Sequence, residues 1–105
     1  MSWKIYIAKM VIIIKTMEHR TFKLNPIDGR KSLNNHHVNE YTNSDGDTYS
    51  DLISYTTRVA SYNHKDKSIS IYNCQSAATR RHINAFLSFY GFDIMSKKEM
   101  EKFIS

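Results

Sequence analysis

The chain has 105 residues, 41% apolar and 24% charged, with one proline and three glycines, which excludes a disordered or collagenous chain and leaves room for one hydrophobic core. Fifteen lysines and arginines against ten carboxylates leave a net charge of +5, in three blocks: basic over residues 1–35, acidic over 36–62, where Arg58 faces Glu40, Asp45, Asp47 and Asp51, and basic again beyond. That balance allows contact with nucleic acid, an acidic protein face or a ribonucleoprotein, but four central acids exclude a mimic of the nucleic-acid backbone, and the single Cys74 excludes a disulfide framework and points to a reducing compartment.

Residues 1–16 read as an N-terminal strand extension. The apolar run Met10–Ile14 lies between Lys9 and Lys15 and is too short for a membrane span of about 20 residues or a signal core of about 7 to 15, so no membrane association is expected. Val11, Ile12, Ile13 and Ile14 do not alternate with polar residues, which suits a strand covered on both faces, and a homodimer interface is expected there. Residues 25–35 hold turn formers throughout and read as a loop. The segments His37–Thr42 and Ser50–Tyr62 flank Asn43-Ser44-Asp45-Gly46-Asp47 and predict a β-hairpin, its second arm placing Ile53, Tyr55, Thr57 and Val59 on one side. Asn63–Lys67 is a further turn, and Ser68–Tyr72 alternates with Ile69 and Ile71 inward.

From Ser76 to Tyr90 the period changes, with Ile83, Phe86, Leu87 and Tyr90 on one helical stripe, Ser76 as N-cap and Gly91 closing the end. A second helix over 96–105 is announced by the capping box Ser96–Glu99, with Met100, Phe103 and Ile104 as its apolar side. These elements predict a single α+β domain over 1–105, an antiparallel β-meander sheet packed by one long and one short C-terminal helix.

Catalytic signals are sparse. His36 and His37 are adjacent and point to opposite faces of a strand, with no ligand partners at metal-binding spacing, and the Asn43–Asp47 segment lacks the bidentate glutamate of a calcium loop because Leu52 stands at that position. Cys74 and His82 are the one nucleophile–base combination, and a free cysteine is more often a small buried hydrophobe. Neither enzymatic activity nor a metal or other cofactor is expected. Thr79-Arg80-Arg81-His82 is the unusual segment, since positive charge in the first helical turns opposes the helix dipole. With Ser76 it forms a candidate anion or partner site, for a phosphate or a partner carboxylate, against the plainer expectation that Arg80 and Arg81 pair with Asp45, Asp47 or Asp51. Direct nucleic-acid contact through Lys65, Lys67, Tyr62, Lys97 and Lys98 is the alternative.

Two segments resemble a family of small tailed-phage proteins of unknown function: Leu52-Ile53-Ser54-Tyr55-Thr56-Thr57-Arg58-Val59-Ala60 is similar to its Leu-x-Ser-Tyr-x-Thr-x-Val-Ala strand, and Ser76-Ala77-Ala78-Thr79-Arg80-Arg81-His82-Ile83 to its Ser-x-Thr-Thr-x-Arg-His-Ile helix start. Arg30-Lys31-Ser32 matches an upstream step of the same family. The resemblance spans about residues 20–91 and departs at Gln75, where the family has an aromatic residue, and at Ala78, where it has a threonine. It implies a phage or prophage origin and a bacterial host cytoplasm, and carries no activity. The expectation is a non-enzymatic binding module acting on a host or defence protein, an anti-CRISPR-type inhibitor being its most concrete form, with Arg80, Arg81 and His82 in the partner surface.

Overall fold

The computed structural model describes residues 19–104, which form a five-stranded antiparallel sheet and two helices. The strands are β1 (His19–Phe22), β2 (His36–Thr42), β3 (Thr48–Ser54), β4 (Thr57–Asn63) and β5 (Ser68–Ile71), lying side by side in chain order. Helix α1 (Ala77–Phe89) crosses one face of the sheet over β3 and β4, and α2 (Lys97–Ile104) packs beside β5. The expected meander with one long and one short helix is therefore the observed fold. The N-terminal strand extension and its Val11–Ile14 interface lie outside the described residues.

Local chemistry accounts for most of the turns. Asn43 accepts the backbone N–H groups of Asp45 and Asp47 on its side-chain oxygen, at 3.0 Å each, and Gly46 takes the positive φ of 87° that the turn requires. Asn63 does the same for Lys65 and Asp66 between β4 and β5. Ser76 caps α1 by accepting the Thr79 N–H at 3.0 Å, and Gly91, at φ 82°, ends the helix. The capping box of α2 is formed in both directions, Glu99 N–H to Ser96 Oγ at 3.3 Å and Ser96 N–H to Glu99 Oε1 at 3.0 Å.

The core joins Val38, Leu52, Ala60 and Ile71 of the sheet to Ile83, Phe86 and Leu87 of α1, all nearly or fully buried, with Met100 as the anchor of α2. Tyr62 and Tyr90 stack with ring centroids 4.1 Å apart, and the Tyr90 hydroxyl donates to Ser50 Oγ at 2.6 Å.

Three features depart from the sequence reading. β1 occupies residues for which no strand was expected, held by its ladder to β2 in which His19 pairs with Tyr41 and Phe22 with Val38. The arm expected to run unbroken from Ser50 to Tyr62 is two strands joined by a two-residue turn at Tyr55–Thr56, so the buried residues are Ser50, Leu52 and Ser54 on β3, and Tyr55 and Thr57 are exposed. Leu52 pairs with Ala60 while Ile53 pairs with Arg58, which makes Val59 the extra residue of a β-bulge and lets Val59 and Ala60 both enter the core. On α2 only Met100 is buried; Phe103 and Ile104 are exposed.

Candidate functional site

The N-terminal half of α1 carries two different kinds of polar side chain. Thr79 and His82 face the sheet and are buried, 7% and 3% exposed. The Asn34 carbonyl can only accept, so the His82 ring donates to it from Nε2, at 2.8 Å, and must therefore accept on Nδ1 from the Ser54 hydroxyl at 2.7 Å. Ser54 Oγ then accepts from Thr79 at 2.9 Å, and Thr79 Oγ1 accepts from Ser76 at 2.9 Å. One direction of donation runs along the whole chain Ser76–Thr79–Ser54–His82–Asn34, and it ties α1 to β3 and to the 24–35 loop. Burial pulls the His82 pKa below the ordinary histidine value, the Asn34 carbonyl opposing this and Arg81 adding to it.

His36 lies against this relay, stacked on His82 with centroids 5.1 Å apart. Its Nε2 accepts the Leu24 N–H at 2.8 Å, so the ring proton sits on Nδ1, which is buried with no partner at hydrogen-bond distance; the Leu33 carbonyl acts on it only from farther off. Burial first, then His82, depresses the His36 pKa.

Ser54 beside His82 has the residue types of a hydrolytic pair, but Ser54 is 2% exposed and its oxygen already accepts from Thr79 while its proton is given to His82. The arrangement is a structural clamp. It also separates His82 from Cys74, since both ring nitrogens have other partners and the thiol is buried. Among the described residues, no group of three His, Cys, Asp or Glu side chains could hold a metal ion.

The expected anion and partner site is thus divided. Thr79 and His82 are interior, contrary to the expectation that they face a ligand, because their hydrogen-bonding capacity closes the seam between helix and sheet. Ser76 is spent on capping. Arg80 folds back and donates from Nη1 to the Cys74 and Gln75 carbonyls at 2.9 and 2.8 Å, rather than pairing with the acidic hairpin; Asp51 instead faces Arg58 at 4.0 Å. Those carbonyls precede the helix start, which is how the chain accommodates a cation there. Arg81 alone of the five is left without a side-chain hydrogen bond or ion pair among the described residues.

Around Arg81 the surface is concave. On one side is a mainly apolar slot of about 290 Å³ walled by Ile27, Leu33, Asn84 and Ile94, with the Asp28 carboxylate that pairs with Arg30 also on its wall and Ile27 and Ile94 46% and 59% exposed. On the other is a polar recess of about 180 Å³ lined by Arg30, Ser32, Asn34, Asn35 and Tyr55, with the edge of His82 at its back. Arg81 lines both. Asn35 and Tyr55 are non-glycine residues at φ 62° and 57°, and the Tyr55 N–H donates to the Asn35 carbonyl at 2.7 Å. Asn35 was not singled out by sequence as a site residue, nor were Ile27, Leu33 and Ile94, because loop residues carry no periodicity.

Of the candidate nucleic-acid contacts, Lys65 and Lys67 are exposed in the β4–β5 turn and Lys97 and Lys98 on the first turn of α2. Tyr62 is 9% exposed and stacked inside the core, so it is no stacking face for a base. Among the described residues no helix is long and apolar enough to cross a membrane.

No curated protein and no solved structure matches the chain. A family profile does, over residues 22–102, which takes in β2 to β5, α1, all but the last two residues of α2 and every residue of the groove around Arg81: the chain belongs to the family of unknown function DUF8033.

Proposed function

We propose that the protein is a non-enzymatic binding module that grips a partner protein in the groove centred on Arg81. The observation that carries this reading is the Arg81 guanidinium, with no side-chain hydrogen bond or ion pair among the described residues, between two exposed isoleucines and a polar recess. An arginine in that setting is an incomplete interaction, and charge complementarity selects its occupant: a segment with an aliphatic side chain for the slot and an adjacent anionic group for Arg81. The basic chain would be steered to an acidic face of that partner. The resemblance to tailed-phage proteins supports a host or defence protein as the partner, with inhibition of a CRISPR effector as the most concrete form.

Capture from bacterial lysate with and without nuclease tests this, provided the groove is varied. The same protein should be retained by the native chain and by Arg20→Gln, and lost with Arg81→Glu and with Ile94→Asp. Arg20 pairs with Glu40 on the β1–β2 edge at 3.1 Å and lines neither cavity. Capture indifferent to Arg81 and Ile94 would overturn the reading, and capture abolished by nuclease would favour direct nucleic-acid binding.

A further inference from the structure

The polar recess beside Arg81 offers more donors than a carboxylate can use. Arg81 approaches it from α1 and Arg30 from the facing loop, and Ser32, Asn34, Asn35 and Tyr55 complete its walls; no carboxylate lines it. Asp28 is ion-paired with Arg30, its Oδ2 accepting Arg30 Nε at 2.9 Å, and the terminal guanidinium nitrogens of Arg30 make no hydrogen bond among the described residues. A carboxylate presents two oxygens and one negative charge. A phosphomonoester presents three terminal oxygens and close to two charges near neutral pH, and its geometry suits two guanidinium forks on opposite sides. The strained backbone at Asn35 and Tyr55, tied together by a 2.7 Å hydrogen bond, lies on the wall of the same recess, and strain of this kind collects at ligand sites.

We infer that the recess is a phosphomonoester site that takes the phosphoryl group of a phosphorylated serine or threonine in the partner segment, with the neighbouring apolar residue of that segment entering the Ile27–Ile94 slot. The inference rests on the docking reading for the origin of the phosphoryl group, while binding of the anion itself is a property of the isolated chain. The side-chain amides of Asn34 and Asn35 supply neutral donors, the Ser32 hydroxyl being given to Asn34 Oδ1 at 3.3 Å, and His82, bound to the Asn34 carbonyl behind the recess, fixes the position of the 34–35 backbone. Arg81 depresses the protonation of His82, and an anion between Arg81 and Arg30 would screen that repulsion.

The experiment is a titration of the full chain at pH 7 with inorganic phosphate, O-phospho-L-serine, adenosine monophosphate and a short single-stranded oligonucleotide, followed by calorimetry and by the backbone amide resonances of Asn35, Tyr55 and Arg81. Saturable binding of inorganic phosphate and O-phospho-L-serine is expected, weakened at least tenfold by Arg81→Gln and by Arg30→Gln and unchanged by Arg20→Gln, with the variants' thermal transitions verifying that they fold. No saturable phosphate binding, or an equal loss with Arg20→Gln, overturns the site. Tenfold tighter binding of adenosine monophosphate or of the oligonucleotide than of O-phospho-L-serine overturns the assignment to a phosphorylated protein segment. Partner capture lost with Ile94→Asp in a chain that binds no phosphate would leave the docking reading standing and remove this one.

Discussion

The two sides of α1 near its start are built from similar residues and do opposite things. On the inner side, every hydroxyl and ring nitrogen of Ser76, Thr79, Ser54 and His82 meets a partner, and Thr79, Ser54 and His82 are buried. On the outer side, Arg81 is one position from His82 in sequence and has no hydrogen-bond or ion-pair partner among the described residues. A polar motif can therefore be half scaffold and half site, and the division is drawn by whether hydrogen-bonding capacity is spent within the chain. Buried polar groups must be satisfied because desolvation is costly, so their presence marks stability; a cation left unspent beside exposed apolar surface marks recognition.

The largest test of this contrast is His82→Ala. It removes the link between Ser54 and the Asn34 carbonyl and leaves a cavity against His36, so a loss of about 2–4 kcal/mol in unfolding free energy is expected from stranded buried groups and lost packing. Urea denaturation measures it, and a loss under about 0.5 kcal/mol would mean that the inner side is not the scaffold described here.

The same pair of imidazoles gives the inner side a pH signature. Burial holds the pKa of His36 and of His82 below the ordinary histidine value of 6.5, so at mildly acidic pH the unfolded chain binds protons that the native chain refuses. The sign follows: stability is full above about pH 7 and falls as pH drops below 6.5 toward the native pKa values. The Leu33 and Asn34 carbonyls oppose this without outweighing burial, since the Leu24 N–H facing His36 Nε2 cannot become an acceptor and the charged groups acting on the two rings, Lys23, His37 and Arg81, are basic. Urea midpoints at pH 7.5 and 5.5 should differ in that direction, and His82→Gln should flatten the difference; an unchanged slope would assign it to other groups.

A smaller effect is expected where the inner chain begins. Ser76→Ala deletes the N-cap of α1 and the donor to Thr79, which costs about 1 kcal/mol, with Ser76→Asn recovering most of it as an alternative cap. Thermal unfolding of the two variants separates capping from a ligand role, which neither substitution should disturb in the phosphate titration.

The smallest change in stability belongs to the outer side. Arg81→Gln should shift unfolding free energy by no more than about 0.5 kcal/mol, since it breaks no side-chain hydrogen bond or ion pair among the described residues, and yet it should abolish partner capture. Equal losses of stability for Arg81→Gln and His82→Ala would erase the distinction between the two sides.

Much of the scaffold was legible from short-range chemistry. The stripe Ile83, Phe86, Leu87, the Ser76 and Gly91 ends of α1, the Ser96–Glu99 box and the Asn43–Asp47 hairpin each depend on residues within a few positions of one another. Arg81 was also named beforehand, though in company with Thr79 and His82, which the fold turned inward. By itself the sequence determined the element types, the antiparallel order that short turns impose, and the basic character of the surface. Tertiary structure decided the rest, because the deciding interactions join distant positions. The Tyr55–Thr56 turn has no glycine or asparagine to announce it, and its positive φ is supported by the Asn35 carbonyl on another segment. His82 was assigned to the scaffold by Ser54 and Asn34, 28 and 48 residues away, and the groove arises where the 24–35 loop and Ile94 meet the face of α1 that those bonds leave outward. Hydrogen-bond satisfaction is settled in three dimensions, and which polar residues remain available for a partner is known only once the fold has used the others.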